Sequence, residues 1–436
     1  MLSSNHQQVL FLSNQSSSME IDGVFEKCNL VSLHQLTNLE IKKICPSSRN
    51  SFIWTSEEDR IFKVGRSNVP IESEIQYWKN PLNCFEWKWK ERVNRYLRMN
   101  KEMASIVDGR VLNLKNIYAS WYAVFLELDD GVFFAVNDQD ERMWKLEKEI
   151  KMFVTSPCSN HALVVLEDDE LINIDSLFFQ MPSSETDQID GTIVKAATSA
   201  KSDIIFTDKN KMFCRGDNRF NVQNGTRSNG FYSYVRTPFE NESLVQQVKC
   251  GLFHTAVMLE NKSIYVCGQN KFNQCGVSSK EDQSFTKIQF SSDIIPESLY
   301  CGSDSTGFTT KFSTSLYVFG GMLKNLDLNA VEHVQQMQIT QKKGNNQQQP
   351  TESVSFEQVS RFEPFELISG VKGIKLSLKS IPNADFNSVV FGDSYMLVFK
   401  RNELIGKTLN YIHLNMKRLG LQIDKHYSDL VFHTEC

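Results

Sequence analysis

The sequence lacks any apolar run long enough to cross a bilayer, since a spanning helix needs about 20 consecutive apolar residues. Residues 1–20 contain no Lys or Arg, and their apolar stretch, Val9–Leu12, is too short for the core of a secretory signal. We therefore expect a soluble intracellular protein, cytoplasmic and/or nuclear, that makes no contact with a membrane.

Metal and redox motifs are also lacking. The 10 cysteines are scattered along the 436 residues, and no Cys-x-x-Cys pair occurs. This spacing argues against a zinc ribbon and a thioredoxin-type site. His426 and His433 lie near the end of the sequence without further ligands beside them. We expect neither a metal nor a cofactor.

Catalytic signatures are absent as well. There is no Gly-x-Ser-x-Gly and no Gly-x-Gly-x-x-Gly, and the glycine-spaced stretch Gly302–Gly307 lacks the Lys-Ser/Thr of a phosphate loop. His254 and Thr255 are adjacent, as a base and a nucleophile would be, but His254 and His161 are both interpreted as structural. We expect no catalytic residue and no enzymatic activity.

Basic residues are not in excess. Lys and Arg number 47 against 52 Asp and Glu, for a net charge of −5. A nucleic-acid-binding domain normally carries a basic face, so direct nucleic-acid binding is not expected. The acidic runs Asp129-Asp130 and Glu167–Glu170 are interpreted as solvated turns between strands.

What the sequence does contain is a repeat, clearest over residues 248–276. Val248–Gly251, His254–Leu259 and Ser263–Cys267 are typical of three short strands, and Gly268-Gln269-Asn270 then breaks the chain. Weaker copies recur at a spacing of about 40–50 residues. A unit of this kind cannot bury its apolar face alone, so neighbouring copies must pack together.

Seven copies are found, the first at Ile41–Asn68 and the last from Pro364 to Gly406. The pattern predicts an all-β, seven-bladed β-propeller, a fold that removes long sheet edges by radial repetition. We expect residues 1–406 to form this single domain. Residues 407–436 would be a tail packed on the ring or completing the last blade, although a strand pair within Leu421–Thr434 leaves eight units open.

Six residues are predicted to form the structural framework of the repeat, through tight turns, close strand approach or buried hydrogen bonds. They are Gly251, His254, Gly268, Asn270, Gly302 and Gly320.

Two insertions interrupt the repeat. Within the first, at about 70–110, the apolar spacing over Phe85–Lys101 predicts an amphipathic helix after the first blade. The second, at about 322–360, is rich in Gln and poor in apolar residues. It is predicted to be flexible and to precede the last blade.

The helical insertion is the candidate partner-binding site. One interpretation is a helix packed on the rim with a solvated basic face. A second is a docking element for an acidic protein, since Trp, Tyr and Arg dominate interface energetics; a third is nucleic-acid stacking. The candidate residues are Trp87, Lys88, Trp89, Lys90, Arg92, Arg95 and Arg98.

The pattern apolar-x-Cys-Gly-x-x-His-Thr, then Ile-Tyr-Val-x-Gly-x-Asn and Gln-x-Gly, resembles the repeat of the regulator-of-chromosome-condensation family. The resemblance is strong over 244–276 and extends weakly over about 8–406. It implies a seven-bladed propeller whose N-terminal strand, here Gln8–Ser13, completes the last blade.

The founding member of that family is a guanine-nucleotide exchange factor, while relatives with degraded repeats look like scaffolds. Chromatin binding in the family relies on a basic N-terminal tail, which residues 1–20 do not provide. The leading hypothesis is a non-enzymatic protein-interaction scaffold or adaptor, and the alternative is an exchange factor for a small GTPase. We expect a monomer whose partner is a protein, either acidic or a small GTPase.

Overall fold

The computed structural model of the chain describes residues 10–13, 41–47, 50–65, 83–137, 139–180, 183–184, 189–200, 202–217, 228–310, 315–321, 361–377, 389–391, 395–402, 408–412 and 414–415. These residues are almost entirely β-structure, and their strands form seven separate sheets. Within the same ranges, no helix has the length and apolarity needed to cross a membrane.

Six of the sheets are antiparallel and follow one another along the chain, after a first strand β1 (Leu10–Ser13) that belongs to the seventh sheet. Blade 1 comprises β2 (Ile41–Pro46), β3 (Asn50–Thr55), β4 (Ile61–Gly65) and β5 (Asn83–Trp87). Blade 2 comprises β6 (Leu114–Ala119), β7 (Val124–Leu128), β8 (Val132–Val136) and β9 (Glu141–Lys145). Blade 3 comprises β10 (Ile150–Val154), β11 (His161–Leu166), β12 (Leu171–Asp175) and β13 (Ser183–Ser184).

Blade 4 comprises β14 (Ile193–Thr198), β15 (Ser202–Thr207), β16 (Met212–Gly216) and β17 (Ser228–Val235). Blade 5 comprises β18 (Val245–Cys250), β19 (His254–Leu259), β20 (Ile264–Gly268) and β21 (Gln283–Lys287). Blade 6 has five strands, which are β22 (Pro296–Cys301), β23 (Ser305–Thr310), β24 (Ser315–Gly320), β25 (Arg361–Glu366) and β26 (Lys372–Ser377).

All six blades share one irregularity in the first strand, which demonstrates that they are copies of one unit. The register shifts between the first and third residues of β2, β6, β10, β14, β18 and β22, as at Val245/Gln247 in blade 5 and Pro296/Ser298 in blade 6. A bulge at this point bends the strand and increases its twist.

The second strand of each blade explains why the blades pack face to face. In β19 every residue is buried, and alternate side chains point to opposite sides of the sheet. Val257 and Leu259 pack in one core cluster with Ile204 of blade 4. Ala256 and Met258 pack in another with Phe308 of blade 6. Each sheet is therefore apolar on both faces and depends on both neighbours.

Two helices connect blades 1 and 2: α1 (Trp89–Met99) and α2 (Lys101–Val107). The Asn100 side chain caps α2 by accepting a hydrogen bond of 3.1 Å from the Met103 N–H. The predicted helix began too early, at Phe85. This residue belongs to β5, where it pairs with Lys63 of β4.

The remaining sheet combines β1 with β27 (Val389–Phe391), β28 (Tyr395–Asn402), β29 (Thr408–Ile412) and β30 (Leu414–Asn415). Strand β1 pairs antiparallel with β28, Leu10 opposite Val398. The fold is thus an all-β propeller in which six blades have the repeat form, not the predicted seven. The Gln-rich insertion at 322–360 and the strand pair predicted within Leu421–Thr434 lie outside the described residues.

The predicted start of the last copy, at Pro364, is wrong. Strand β26 pairs with β24, Val318 opposite Ile374, and β25 pairs with β26. Residues 361–377 therefore supply the outer strands of blade 6. The long insertion before them separates these strands from β24 in sequence, which is why they resembled the beginning of a new copy.

The framework residue His254 lies in the seam between blades 5 and 6 with no exposed surface. The Thr306 hydroxyl donates its single proton to the Gln274 carbonyl at 2.7 Å. Its contact with His254 Nε2 at 3.1 Å is therefore one in which the imidazole N–H donates and the hydroxyl oxygen accepts. Gly251 makes room for this ring, because a Cβ there would lie 2.1 Å from His254 Cε1. Burial holds the pKa of His254 down at about 4, so the ring is neutral at pH 7.

The other framework residues lie in turns of blades 5 and 6. Gly268 and Gly320 end their blades' third strands at φ +113° and +107°, in the region that favours glycine. Gly302 donates its N–H to the Ser305 carbonyl at 2.9 Å. Asn270 is buried, donates to the Val277 carbonyl (2.9 Å) and accepts from the Cys275 N–H (2.8 Å).

Replacing His254 should change how the unfolding free energy depends on pH, because the buried ring stays neutral in the folded protein. Unfolded histidine titrates near 6.5, above its folded pKa of about 4. Between these values the unfolded chain binds one more proton, so stability falls by about 1.4 kcal/mol per pH unit as the pH is lowered. His254→Gln keeps a donor for Thr306 but removes this titration. Its deficit in unfolding free energy against wild type should shrink by about 2 kcal/mol from pH 7 to pH 5, measured by urea unfolding.

An equal deficit at both pH values would contradict the buried, neutral state of His254. The comparison of two proteins at each pH cancels the carboxylates that titrate in both.

Candidate functional site

Helix α1 lies in the seam between blades 1 and 2, with its apolar side in the core. Trp87, Trp89 and Val93 belong to the same buried cluster as Phe52 of blade 1 and Phe134 of blade 2. The Trp89 indole donates to the Asp59 carbonyl at 2.8 Å, and Trp87 packs edge-to-face on Phe52, 5.7 Å between ring centroids. Both tryptophans are therefore core residues and present no free ring to a partner.

The opposite side of α1 carries the basic residues. Lys88 pairs with Glu86 at 3.0 Å, and Arg92 and Arg95 share Glu141 at 3.3 and 2.8 Å. Lys90 donates to the Glu58 carbonyl at 2.8 Å, and Arg98 donates to the Asn94 carbonyl at 3.3 Å. These contacts hold the long side chains in place, although exposed ion pairs of this kind contribute little to stability.

Glu86 contacts two cations, Lys88 at 3.0 Å and Arg60 of blade 1 at 2.9 Å. Desolvation raises its pKa, but hydrogen bonds from Lys88 and Arg60 outweigh that effect and hold the pKa below its ordinary value. It stays ionised at neutral pH and offsets part of the basic charge of α1. The exposed cations on this side are Lys88, Lys90, Arg95 and Arg98.

A groove of about 740 Å³ runs beside the C-terminal half of α1. Arg95, Tyr96 and Met99 form one wall, and Asp140 and Arg142 of blade 2 form the other. The Met99 side chain is 81% exposed. The groove therefore offers an apolar contact between guanidinium groups, a combination suited to a polypeptide segment.

A second polar site, which the sequence reasoning missed, spans blades 3 and 4. The Asp203 carboxylate is 2% exposed and lies 2.5 Å from His161 Nε2. Arg215 donates to it at 2.7 Å, Asn173 at 3.0 Å and Tyr232 at 3.3 Å. A buried carboxylate is stable only with such partners.

These contacts set the protonation states of the site. Desolvation alone would raise the pKa of Asp203, but His161 and Arg215 lower it below the ordinary value. Burial and the neighbouring carboxylate raise the pKa of Tyr232 well above its usual range. Asp203 is therefore an anion and Tyr232 a neutral donor.

The site repeats the geometry of His254. His161 and His254 each begin the second strand of their blade, and each contacts the second residue of the corresponding strand in the next blade. That residue is Thr306 beside His254 but Asp203 beside His161. The repeat register could have identified this pair, since the two histidines hold the same repeat position.

The two faces of the propeller differ in charge. The turn face, formed by the turns between second and third strands, carries mainly acidic side chains in the described blades: Glu57, Glu58, Asp59, Asp129, Asp130, Glu167, Asp168, Asp169, Glu170, Asp208 and Glu260. The opposite face, here called the loop face, is formed by the loops between first and second strands and by the ends of the third strands. In the described loops between first and second strands, Asp304 is the single charged residue, whereas Asp175 and Arg215 lie at or near the ends of third strands. Trp121, Tyr122 and Phe253 are the aromatics of these loops.

Comparison with known proteins agrees with this architecture. The regulator of chromosome condensation (RCC1) repeat model matches residues 245–274, which contain β18, β19 and β20. Prp20p from Saccharomyces cerevisiae, described with its binding to Gsp1p and histones, gives a TM-score of 0.53 at 10% identity, covering 88% of this chain and 93% of that one. Yeast RCC1 (Prp20) bound to Kap60 gives 0.50 at 10% identity, covering 78% and 80%.

The repeated antiparallel blades and the apolar packing between them thus identify the fold as a β-propeller. With the matched repeat, the chain is a divergent RCC1-like β-propeller.

The two sides of α1 should respond differently to substitution. Trp89→Ala removes a core ring and an indole donor, and should lower the unfolding free energy by about 3–5 kcal/mol. Arg95→Ala removes one exposed ion pair, and should cost less than about 1 kcal/mol. Chemical unfolding followed by circular dichroism measures both, and comparable losses would contradict the assignment of Trp89 to the core.

Proposed function

We propose that the protein is a non-enzymatic scaffold that binds an acidic protein partner through the basic side of α1. The observation that carries this proposal is the way α1 is fixed. Its tryptophan side is locked in the seam between blades 1 and 2, so the exposed Lys88, Lys90 and Arg98 project from a rigid support. A preorganised surface loses little conformational entropy on binding.

The state of the nucleophilic groups supports a binding role over catalysis. Seven cysteines are buried, at positions 45, 158, 214, 250, 267, 275 and 301, and desolvation raises the pKa of Cys45 and of Cys250 to about 12. A thiol in this state is a poor nucleophile at neutral pH. His254 is enclosed in its seam, so it cannot reach a substrate.

We further propose that the blades form a closed ring. The sheet of β1 and β27–β30 would act as a seventh blade, because β27 contacts both β2 of blade 1 and β22 of blade 6. Residues 1–406 would then form one propeller domain. The segment 407–436 would complete or cover its last blade, where β29 pairs with β28.

Exchange activity on a small GTPase is the second candidate. The repeat resemblance favours it, as does the likeness to Prp20p, which is described as binding Gsp1p. As a scaffold, the protein at micromolar concentration should leave fluorescent-nucleotide release from a panel of small GTPases unchanged. A tenfold acceleration for any one of them would establish exchange activity in place of a purely binding role.

The basic side of α1 is tested by charge reversal. A triple variant, Lys88→Glu, Lys90→Glu and Arg98→Glu, should keep the fold because all three side chains are exposed. We expect the variant to recover at least tenfold less of the proteins that the tagged wild-type chain recovers from cell extract, as measured by quantitative mass spectrometry. Recovery should also decline with added salt, because exposed charges are screened.

The matched control reverses three exposed lysines on other blades, Lys148→Glu, Lys209→Glu and Lys287→Glu. These side chains are 52%, 54% and 46% exposed. The control should recover the same proteins as wild type. Equal recovery by the α1 variant would remove α1 from the proposal.

A further inference from the structure

A small pocket opens on the loop face where blades 3 and 4 meet. Its volume is about 290 Å³, just below the range of about 300–1,000 Å³ that is usual for small-molecule sites. Asn160, Asn173, Asp175, Asp203 and Arg215 are among the residues that line it. The size suits a single side chain of another protein better than a cofactor.

The two carboxylates in the pocket are not equivalent. Asp203 is matched by Arg215 and His161. Asp175 uses only Oδ1, which accepts the N–H groups of Leu177 and Phe178 at 2.8 Å each. No donor in the part of the chain that the structure describes reaches Asp175 Oδ2. Among the described residues, Asp175 is therefore the carboxylate of the pocket that pairs with no cation.

The wall beside Asp175 is rigid. Ser120 Oγ and Ser176 Oγ are 2.7 Å apart, joining the loops of blades 2 and 3. The Asn137 side-chain amide donates to the carbonyls of Ser176 and Leu177 at 2.9 and 2.8 Å, and Trp121 N–H donates to the Ser159 carbonyl at 2.9 Å. The segment that carries Asp175 is thus fixed from two sides.

Aromatic rings stand exposed on the same loops. Phe178 follows Asp175 by three residues and is 63% exposed, and Tyr122 is 45% exposed on the loop bonded to Ser159 and Ser176. Neither ring is among the residues that line the pocket, but the Phe178 N–H contacts Asp175. A flat cation bound to this carboxylate can stack on a ring face and donate to the oxygens.

We propose that this pocket binds the guanidinium group of an arginine side chain from a partner protein, with Asp175 as its counter-ion. Arginine fits because its five N–H donors match the free Asp175 oxygen and the nearby amide oxygens, while its plane stacks on aromatic rings. The inference goes beyond the role proposed for α1 and shares no residue with it. The loop face then recognises a basic segment, while α1 recognises an acidic one.

The test uses the full chain and a blocked peptide, Ac-Gly-Arg-Gly-amide, followed by saturation-transfer-difference NMR. The arginine methylene protons should receive saturation from the wild-type protein. The isosteric citrulline peptide, which lacks the charge, should give a signal at least fivefold weaker. Asp175→Asn should reduce the arginine signal at least fivefold as well, because an Asn side-chain oxygen still accepts from Leu177 and Phe178 while the charge is lost.

The control is Asp168→Asn, which removes an exposed carboxylate from the turn face and should leave the arginine signal unchanged. The proposal is overturned if arginine and citrulline peptides give equal signals, if no signal appears at millimolar peptide, or if Asp168→Asn reduces it and Asp175→Asn does not. A change in sedimentation with Asp175→Asn, without a change in peptide signal, would identify a second copy of this chain as the occupant and would also overturn it.

Discussion

The structure depends on the burial of each second strand between two neighbouring sheets. In β11, β15, β19 and β23, side chains on both faces are buried, so no blade can satisfy its apolar surface alone. Because each sheet is covered by its two neighbours, loss of packing in one seam exposes apolar surface on two blades. Stability is thus distributed over the seams between neighbouring blades, and the sequence of any one blade is free to diverge as long as its two faces stay apolar.

That freedom explains how much of the fold could be predicted from the sequence. Blades 2 and 3 lack the family glycines, yet their second strands, Val124–Leu128 and His161–Leu166, follow from apolar runs bounded by acidic turns. The outer strands are less constrained because they are covered on fewer sides. The predicted helix began at Phe85, inside β5 (Asn83–Trp87), because Phe85, Trp89 and Val93 follow a helical period. Residues 85, 87 and 89 also follow the period of a strand.

The candidate sites were predicted less completely, and for a different reason. The basic side of α1 was visible as a run of charges, but the sequence could not place Trp87 and Trp89, because helical spacing does not say which face the protein covers. The contact between His161 and Asp203 joins two blades across 42 residues. It depends on how the blades are aligned in the ring, and the histidine could be assigned its place only through the repeat register.

The seams also organise the surfaces at which partners would bind. A seam formed by two apolar faces leaves no room for a partner. Two seams differ from this form. Helix α1 enters the seam of blades 1 and 2, and in the seam of blades 3 and 4 a polar network around Asp203 stands in place of the neutral His–Thr contact. A buried charge pair costs desolvation energy that an apolar seam would not. Thr306 gives Nε2 of its histidine a neutral hydrogen bond without that cost. The carboxylate at position 203 is therefore not required for two blades to join, and it is one of the residues that line the pocket between blades 3 and 4. Divergence of the repeat has in this way altered two seams, while the seam between blades 5 and 6 keeps the neutral His–Thr contact.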